Sequence, residues 1–323
     1  MKFSIITTTY KHEQFIAETI DSILAQSFSD WELMIGDDSP DDATWNIIEQ
    51  YTRKYPEQIR AWHHAPNRGI VENMNFLMSQ VSPDSQYISF LEGDDRYTPD
   101  CLEQKINIFQ KYPEVALVYS DMDFIDREGN ISLSGLLRSQ KTRLYRDESI
   151  ATEEYILSPH SLIVSYSSVA LRKSILNKYL PIQNPTGSKT YAVSDYDLFF
   201  RISRANHVFG ISESLTEYRR HLDNLSASYI GLFDDLSLLM DTYYHENQIS
   251  STVYHQKQTW ITLLKGISFL SQWDKKSAYT CLKKSLVSQP LSYVSYKIAI
   301  FILLIFPSTL IQRLLKKRIR RGS

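Results

Sequence analysis

Between residues 3 and 119, short β-branched runs alternate with segments of helical spacing, and this alternation limits the possible folds more than any other feature. Strands are predicted at Phe3–Thr8, Trp31–Ile35, Gln58–His63, Tyr87–Leu91 and Val115–Tyr119, and helices at 15–24, Ala43–Tyr55, Val71–Val81 and Pro99–Tyr112. Repeated strand-helix-strand units form mostly parallel sheets that are covered by helices on both faces. The sequence therefore predicts an α/β fold with a mostly parallel sheet flanked by helices.

Two pairs of acidic residues stand where two of these strands end. Asp94 and Asp95 follow the strand that ends at Leu91, and Asp37 and Asp38 follow the strand that begins at Trp31. In open α/β sheets, ligands bind beyond the carboxyl ends of the strands, and grouped carboxylates suit Mg²⁺ or Mn²⁺. The alternative for either pair alone is a turn or a helix cap.

Composition narrows the class of protein. The 323 residues are 43% hydrophobic and carry a formal net charge of −2, so the chain can bury a sizeable core and is not of the disordered class. Two cysteines, Cys101 and Cys281, lie far apart and match no metal-ligand spacing, which favours a reduced compartment. The Gly-x-Gly-x-x-Gly and Gly-Lys-Ser/Thr patterns of dinucleotide and P-loop sites are missing after the first strand.

The charge is unevenly distributed along the chain. Six cations and no acid occur in the last eleven residues, which leaves a formal net charge of −8 on residues 1–312; the six are Arg313, Lys316, Lys317, Arg318, Arg320 and Arg321. An acidic body argues against general nucleic-acid binding, whereas a basic end behind an apolar stretch is typical of contact with an anionic membrane surface. The alternative is a C-terminal helix that packs on the core with a solvated basic end.

Three regions are predicted from these patterns. Residues 1–226 form the first domain, in which 1–125 bind the ligand and 126–226 form the side that receives a second substrate, the acceptor. Residues 227–292 form a helical region, and residues 293–323 form an apolar-basic, membrane-associating tail. The apolar run at 298–306 is shorter than the roughly 20 residues of a spanning helix. Because the N-terminus shows no secretory signal, we expect a cytoplasmic protein, peripheral on the inner face of the cell membrane.

Six blocks of the chain resemble a known family. They are residues 4–11 (SIITTTYK), 21–42 (from DSILAQSF to GDDSPDD), 67–75 (from NRG to N), 91–95 (LEGDD), 193–201 (VSDYDLFFR) and 218–221 (YRRH). These blocks are similar to those of family 2 glycosyltransferases with the GT-A fold, especially bacterial enzymes that build surface polysaccharides. The resemblance covers roughly residues 3–226.

The resemblance implies a role for particular residues. Nucleotide-sugar contacts are implied for Thr7, Thr9, Tyr10, Asp37, Asp38, Arg68, Asp94, Arg219 and His221. Metal binding is implied for Asp94 and Asp95, with His221 as a further ligand to the metal or to the diphosphate, and Asp195 is the implied catalytic base. The chain departs from the family pattern at Ser39-Pro40, where Gly-Ser is usual, and at Ser194, where Glu is usual.

By the same resemblance, the chain is expected to be a metal-dependent, inverting glycosyltransferase that uses Mn²⁺ or Mg²⁺. Its donor would be a nucleotide diphosphate sugar, with UDP the expected nucleotide, and its acceptor a hydroxyl of a glycan or lipid-linked oligosaccharide. Two alternatives stay open at this point: a nucleotidyltransferase acting on a sugar phosphate, and a catalytically inactive, membrane-tethered scaffold in which Asp195 only favours the start of a helix.

Overall fold

The fold is described from a computed structural model. It covers residues 2–158, 161–187, 191–221, 224, 229–272, 274–288, 297–298, 300–301 and 304. These residues divide into two compact units. The first unit contains residues 2–151, 161–184 and 194–221, and the second contains the described residues of 152–158, 185–187, 191–193 and 224 onward.

A single sheet forms the centre of the first unit. Its strands in the described part of the chain are β1 (Lys2–Thr9), β2 (Trp31–Asp37), β3 (Ile59–His63), β4 (Ser85–Phe90), β5 (Arg96–Tyr97), β6 (Val115–Ile125), β7 (Ile131–Leu133), β8 (Arg146–Glu148), β9 (Val169–Arg172) and β10 (His207–Arg219). The strand order is β3-β2-β1-β4-β9-β6-β10-β5, with β7 beside β6 and β8 beside β10. β3, β2, β1 and β4 run parallel, whereas β9 is antiparallel to both β4 and β6.

Helices cover this sheet and make up most of the second unit. The first unit contains α1 (Ile16–Leu24), α2 (Asp42–Lys54), α3 (Ile70–Ser79), α4 (Cys101–Lys111), α5 (Leu136–Ser139), α7 (Lys173–Leu176), α8 (Ser194–Ser203) and a 3₁₀ turn at Tyr166–Ser168. The second unit contains α6 (Thr152–Leu157), α9 (Tyr229–His245), α10 (Ser251–Ser271) and α11 (Lys275–Ser288). No helix among the described residues combines the length and apolar character needed to cross a membrane.

Burial explains why these segments form strands and helices. All seven residues of β2 are buried, as expected for a strand covered on both faces. The adjoining helix α2 buries only Thr44 and Ile48, and its start is capped by Asp41, whose carboxylate accepts a hydrogen bond from Ala43 N at 3.1 Å. A continuous apolar core lies between the sheet and the helices, and includes Phe3, Ile5, Ile20, Leu33, Ile35 and Phe109.

The predicted fold class is confirmed: an α/β structure with a large sheet, flanking helices and a C-terminal helical region. Most strand and helix ends lie within two residues of the prediction, but β6 continues to Ile125, six residues beyond Tyr119. The antiparallel strand β9 was not predicted. The predicted tail at 293–323 falls outside the described residues except for 297–298, 300–301 and 304.

Candidate active site

The carboxyl ends of three neighbouring strands meet at one edge of the sheet. Backbone hydrogen bonds join the end of β1 to both of its neighbours: Asp38 N donates to Thr9 O at 3.0 Å, and Gly93 N donates to Thr8 O at 3.1 Å. The polar segments that follow β1, β2 and β4 are therefore held side by side. This is the edge at which open α/β sheets bind ligands.

Asp94 lies between two histidines at this edge. Its Oδ2 is 2.9 Å from Nε2 of His221 and 3.9 Å from Nε2 of His12. One ligand atom from each of these three residues lies within 4.8 Å of the others, and the same holds for Glu92, Asp94 and Asp95. Two groups of side chains that could hold a metal ion therefore share Asp94.

Asp95 is held by the surrounding protein on both of its oxygens. Oδ1 accepts a hydrogen bond from the backbone N of Arg219 at 2.9 Å, and Oδ2 accepts one from Oγ of Ser167 at 2.6 Å. The same Ser167 oxygen accepts a hydrogen bond from Glu92 N at 3.1 Å. Ser167, on the 3₁₀ turn before β9, is thus a positioning residue for both acids.

The acidic residues differ in their ionisation. Burial opposes the charged form of Asp94, but the adjacent His12 and His221 outweigh it and hold the pKa of Asp94 below its usual value. Burial raises the pKa of Glu92 and of Asp95 well above the usual range, and the neighbouring carboxylates raise both further. Carboxylates crowded in this way favour a bound cation, and the oxygen and imidazole donors present fit a divalent metal.

Asp195 belongs to the same group of acids. It lies in the first turn of α8, where its Oδ1 accepts a hydrogen bond from Tyr196 N at 2.6 Å. Its charge is near enough to Glu92 and Tyr166 to raise the pKa of both, after the larger effect of burial. Burial raises the pKa of Asp195 itself to about 6. A carboxylate with a pKa near neutrality is suited to accept a proton.

Arg219, for which a nucleotide-sugar contact is predicted, makes several hydrogen bonds within the protein. Its side chain is fully buried, with Nε donating to Asp94 O at 2.9 Å and a terminal nitrogen to Glu18 at 2.7 Å. The other terminal nitrogen donates to the carbonyls of Asp126 and Arg127. A guanidinium that is enclosed in this way positions the loop that carries Asp94.

The predicted nucleotide loop after β2 is close-packed. Oδ1 of Asp37 accepts hydrogen bonds from the N and Oγ of Ser39, and Asp38 accepts one from the backbone N of Arg68 at 3.2 Å. Burial raises the pKa of both aspartates. The Arg68 side chain is exposed and lies 4.4 Å above the ring of Phe76, so it is accessible to a ligand.

The predicted residues of β1 differ in exposure. Thr7 and Thr9 are buried, and no hydrogen-bond partner for either hydroxyl exists among the described residues. Tyr10 is 46% exposed at the end of the strand. Tyr10 is therefore accessible for contact with a ligand, whereas the contacts predicted for Thr7 and Thr9 would involve buried hydroxyls.

Sequence reasoning missed two residues of this site. His12 has no assigned role in any motif, although its position three residues after the end of β1 places it at the ligand edge of the sheet. Ser167 lies in a segment without regular periodicity. The only sequence signal for His12 was this position, and Ser167 had none.

Comparison with known proteins identifies the class. A structure with this sheet, and with acids grouped at its ligand edge, has the fold of GT-A glycosyltransferases. The family model for glycosyl transferase family 2 matches residues 4–180, more than half of the chain. The chain belongs to glycosyl transferase family 2.

Relatives at the sequence level carry glycosyltransferase names. EpsE of Bacillus subtilis is 33% identical over 128 residues, which are 40% of this chain and 45% of EpsE. An uncharacterized glycosyltransferase of Nostoc sp. is 26% identical over 221 residues, which are 68% of this chain and 65% of the relative. The chain thus spans less than two thirds of the length of these relatives.

Solved structures share the fold at low sequence identity. S. aureus TarS 1–349 has a TM-score of 0.61 and 17% identity, with 94% of this chain and 87% of TarS covered. A complex of the same protein with UDP-GlcNAc has a TM-score of 0.62 at 16% identity, with coverages of 89% and 81%. The mannosyltransferase PcManGT from Pyrobaculum calidifontis, in complex with GDP-Man and Mn²⁺, has a TM-score of 0.57 at 12% identity, with coverages of 99% and 85%.

Proposed function

We propose that the chain is an inverting glycosyltransferase that moves a sugar from a nucleotide diphosphate sugar to a hydroxyl of a glycan or lipid-linked oligosaccharide. The nucleotide of the proposed donor is UDP. The observation that carries this proposal is the group of acids Glu92, Asp94 and Asp95 that follows β4, with Asp195 close enough to raise the pKa of Glu92. Similarity to TarS, solved with UDP-GlcNAc, supports a UDP-linked donor. The role that we propose, in the synthesis of cell-surface polysaccharide, rests on the resemblance of residues 3–226 to bacterial enzymes of that kind, and the similarity to EpsE supports the glycosyltransferase activity.

The mechanism follows from the placement of the acids. Asp195 accepts the proton of the acceptor hydroxyl as that oxygen attacks the anomeric carbon, and the nucleoside diphosphate leaves from the opposite face. A single displacement of this kind inverts the configuration of that carbon. Desolvation of Asp195 favours this step because a carboxylate with a pKa of about 6 is ionised at neutral pH and still basic enough to take a proton.

The departing diphosphate carries negative charge into a site that is already acidic. Asp94 and Asp95 would hold a divalent cation there, with His221 as a further ligand. A Mn²⁺ or Mg²⁺ ion, when bound, offsets the charge of the diphosphate as a Lewis acid. Arg68 is an exposed cation whose backbone N donates to Asp38, one of the two proposed base and ribose contacts.

The basic C-terminal end supports a membrane location. We assign the chain to the inner face of the cell membrane as a peripheral protein, because the last eleven residues carry six cations behind an apolar stretch. In the second unit, Tyr279, Leu286 and Val287 of α11 are exposed apolar side chains, which also suit contact with a lipid surface. A lipid-linked acceptor at that surface would then be within reach.

Calorimetric titration with UDP, GDP and TDP, each with and without Mn²⁺, tests the proposal. We expect one nucleotide, UDP, to bind more tightly when Mn²⁺ is present, and the matching nucleotide sugar to be consumed when an acceptor is added. Absence of binding by all three nucleotides would favour the inactive scaffold. Turnover of a nucleoside triphosphate with a sugar phosphate would favour the nucleotidyltransferase.

A further inference from the structure

Glu18, in the first turn of α1, joins that helix to two strands of the sheet. Its Oε2 accepts a hydrogen bond from Nη2 of Arg219 at 2.7 Å and another from Nη1 of Arg96 at 2.9 Å. Arg96 begins β5, and Arg219 ends β10. One carboxylate oxygen therefore connects α1, β5 and β10, although Glu18 lies outside the six blocks that resemble the family.

Arg219 extends this connection to the acidic segment after β4. Its Nε donates to the carbonyl of Asp94 at 2.9 Å, and its backbone N donates to Oδ1 of Asp95 at 2.9 Å. The side chain of Arg219 is fully buried, and a buried charge needs a partner of opposite charge. Glu18 supplies such a partner from a side chain that is 45% exposed, so it can be replaced without opening the core.

The same two arginines hold the turn after β6. Nη1 of Arg219 donates to the carbonyl of Arg127 at 3.0 Å. Nη2 of Arg96 donates to the carbonyl of Gly129 at 3.1 Å, and its Nε donates to Glu217 at 2.7 Å. Gly129 has a φ of 86°, and a Cβ there would lie 3.0 Å from Nη1 of Arg96, so glycine suits this close approach. The turn and the acidic segment are thus held by one network of charged groups.

Phe15, three residues before Glu18, supports the same end of β10. Its ring centroid is 4.8 Å from that of His221, and the guanidinium of Arg219 lies 4.9 Å from the Phe15 ring. The start of α1 therefore contacts Arg219 through a charged side chain and an aromatic one. Both contacts lie on the far side of Arg219 from solvent-exposed substrate groups only in the sense that they act through the protein, so neither Glu18 nor Phe15 needs to touch a ligand to affect the site.

We infer that Glu18 is a positioning residue for the donor site: through Arg219 it holds Asp94 and Asp95 in the geometry that binds the donor diphosphate. This inference rests on the proposed function, which supplies the donor. When the charge of Glu18 is removed, the buried guanidinium loses a counter-charge, so the backbone that it holds is less firmly placed. Residues that support a binding site in this way typically change its affinity by about 10–100-fold when they are altered.

The alternative is an ion pair that only stabilises the fold. Breaking such a pair would lower the Tm and leave the donor affinity of the folded protein unchanged. The two explanations are separated when binding and stability are measured on the same variants.

The test uses the full chain, with UDP and Mn²⁺ binding measured by calorimetry and the Tm by circular dichroism. Glu18→Gln should weaken UDP binding by about tenfold. Glu18→Asp keeps the charge and should stay closer to wild type. Glu49→Gln is the matched control, because Glu49 is a helical glutamate of the same unit that pairs with Arg53 at 2.7 Å, and it should keep the wild-type affinity.

Hydrogen exchange followed by NMR adds a readout at the site itself. The amide of Arg219, which donates to Asp95, should exchange faster in Glu18→Gln than in wild type or in Glu49→Gln. Should Glu18→Gln fail to fold, Arg96→Lys takes its place. A lysine has no planar fork with which to contact Glu18, Glu217 and Gly129 together, so UDP binding should weaken in the same direction.

Wild-type affinity for UDP in folded Glu18→Gln, or in Arg96→Lys where that variant replaces it, would overturn the inference and leave the proposed function standing. If the wild-type protein bound no nucleotide, both the inference and the proposed function would fail.

Discussion

At the scale of single residues, similar carboxylates acquire different chemistry from their surroundings. Asp94 has a lowered pKa because His12 and His221 outweigh its burial, so it stays charged and suits a cation. The pKa of Asp195 is not lowered by a histidine in this way, and burial raises it to about 6. Environments that move the pKa values of neighbouring acids apart are how enzymes divide ligand binding from proton transfer.

The role of Asp195 is tested by Asp195→Asn. The amide keeps the size of the side chain but accepts no proton, so kcat should fall by about 10²–10⁴-fold. Binding of UDP with Mn²⁺ should stay near the wild-type value, because in the proposed mechanism Asp195 acts on the acceptor. Initial rates and calorimetry measure the two effects, and Asp197→Asn on the same helix is the control. A near wild-type rate for Asp195→Asn would show that another group is the base.

The raised pKa of Asp195 also predicts a pH dependence. The carboxylate is the active form, and its pKa of about 6 lies above the usual value of 3.8. As the pH falls below about 6, the protonated fraction rises and kcat/KM should drop by about tenfold per pH unit. Rates measured between pH 4.5 and 8 in buffers of constant ionic strength would show this fall in kcat/KM. A midpoint near pH 4 would contradict the assignment of Asp195 as the base.

At the scale of elements, sequence periodicity predicted the strands and helices of the parallel half of the sheet well. The pattern works there because β2 is buried on both faces while α2 is buried on only one. It missed β9, which is four residues long and pairs with strands distant in sequence. Ser167 and His12 were missed for the same reason, since their roles arise only when separate segments meet.

A glycine contact between β2 and α3 gives a test of this packing. A Cβ on Gly36 would lie 1.9 Å from Oδ1 of Asn73, whose Nδ2 donates to Gly36 O at 2.9 Å. Gly36→Ala would displace the buried amide, and we expect a loss of about 2 kcal/mol or more in unfolding free energy and a Tm lower by several degrees. Thermal melts followed by circular dichroism measure this change.

The matched comparison is the double variant Gly36→Ala with Asn73→Ala, which removes the clashing atoms. Its loss of stability should be smaller than the sum of the two single losses, because the two residues interact directly. Additive losses, or a change within about 0.5 kcal/mol for Gly36→Ala, would contradict the contact.

At the scale of the whole molecule, the uneven charge predicts which part of the chain would bind the membrane surface that we propose for it. Residues 1–312 carry a formal net charge of −8, so an anionic surface repels most of the protein and attracts only its last eleven residues. The cations that cause this attraction are Arg313, Lys316, Lys317, Arg318, Arg320 and Arg321. Attraction through so few residues should be sensitive to ionic strength.

We therefore expect the full chain to sediment with vesicles that contain phosphatidylglycerol and to be released as salt rises. Replacing the six C-terminal cations by glutamine keeps the apolar stretch, and should weaken vesicle binding by at least about tenfold, since each cation contributes about 1 kcal/mol near an anionic surface. Vesicles of phosphatidylcholine alone are the control for apolar contact. Equal recovery of both proteins on anionic vesicles would instead assign the binding to apolar side chains, such as those that α11 exposes.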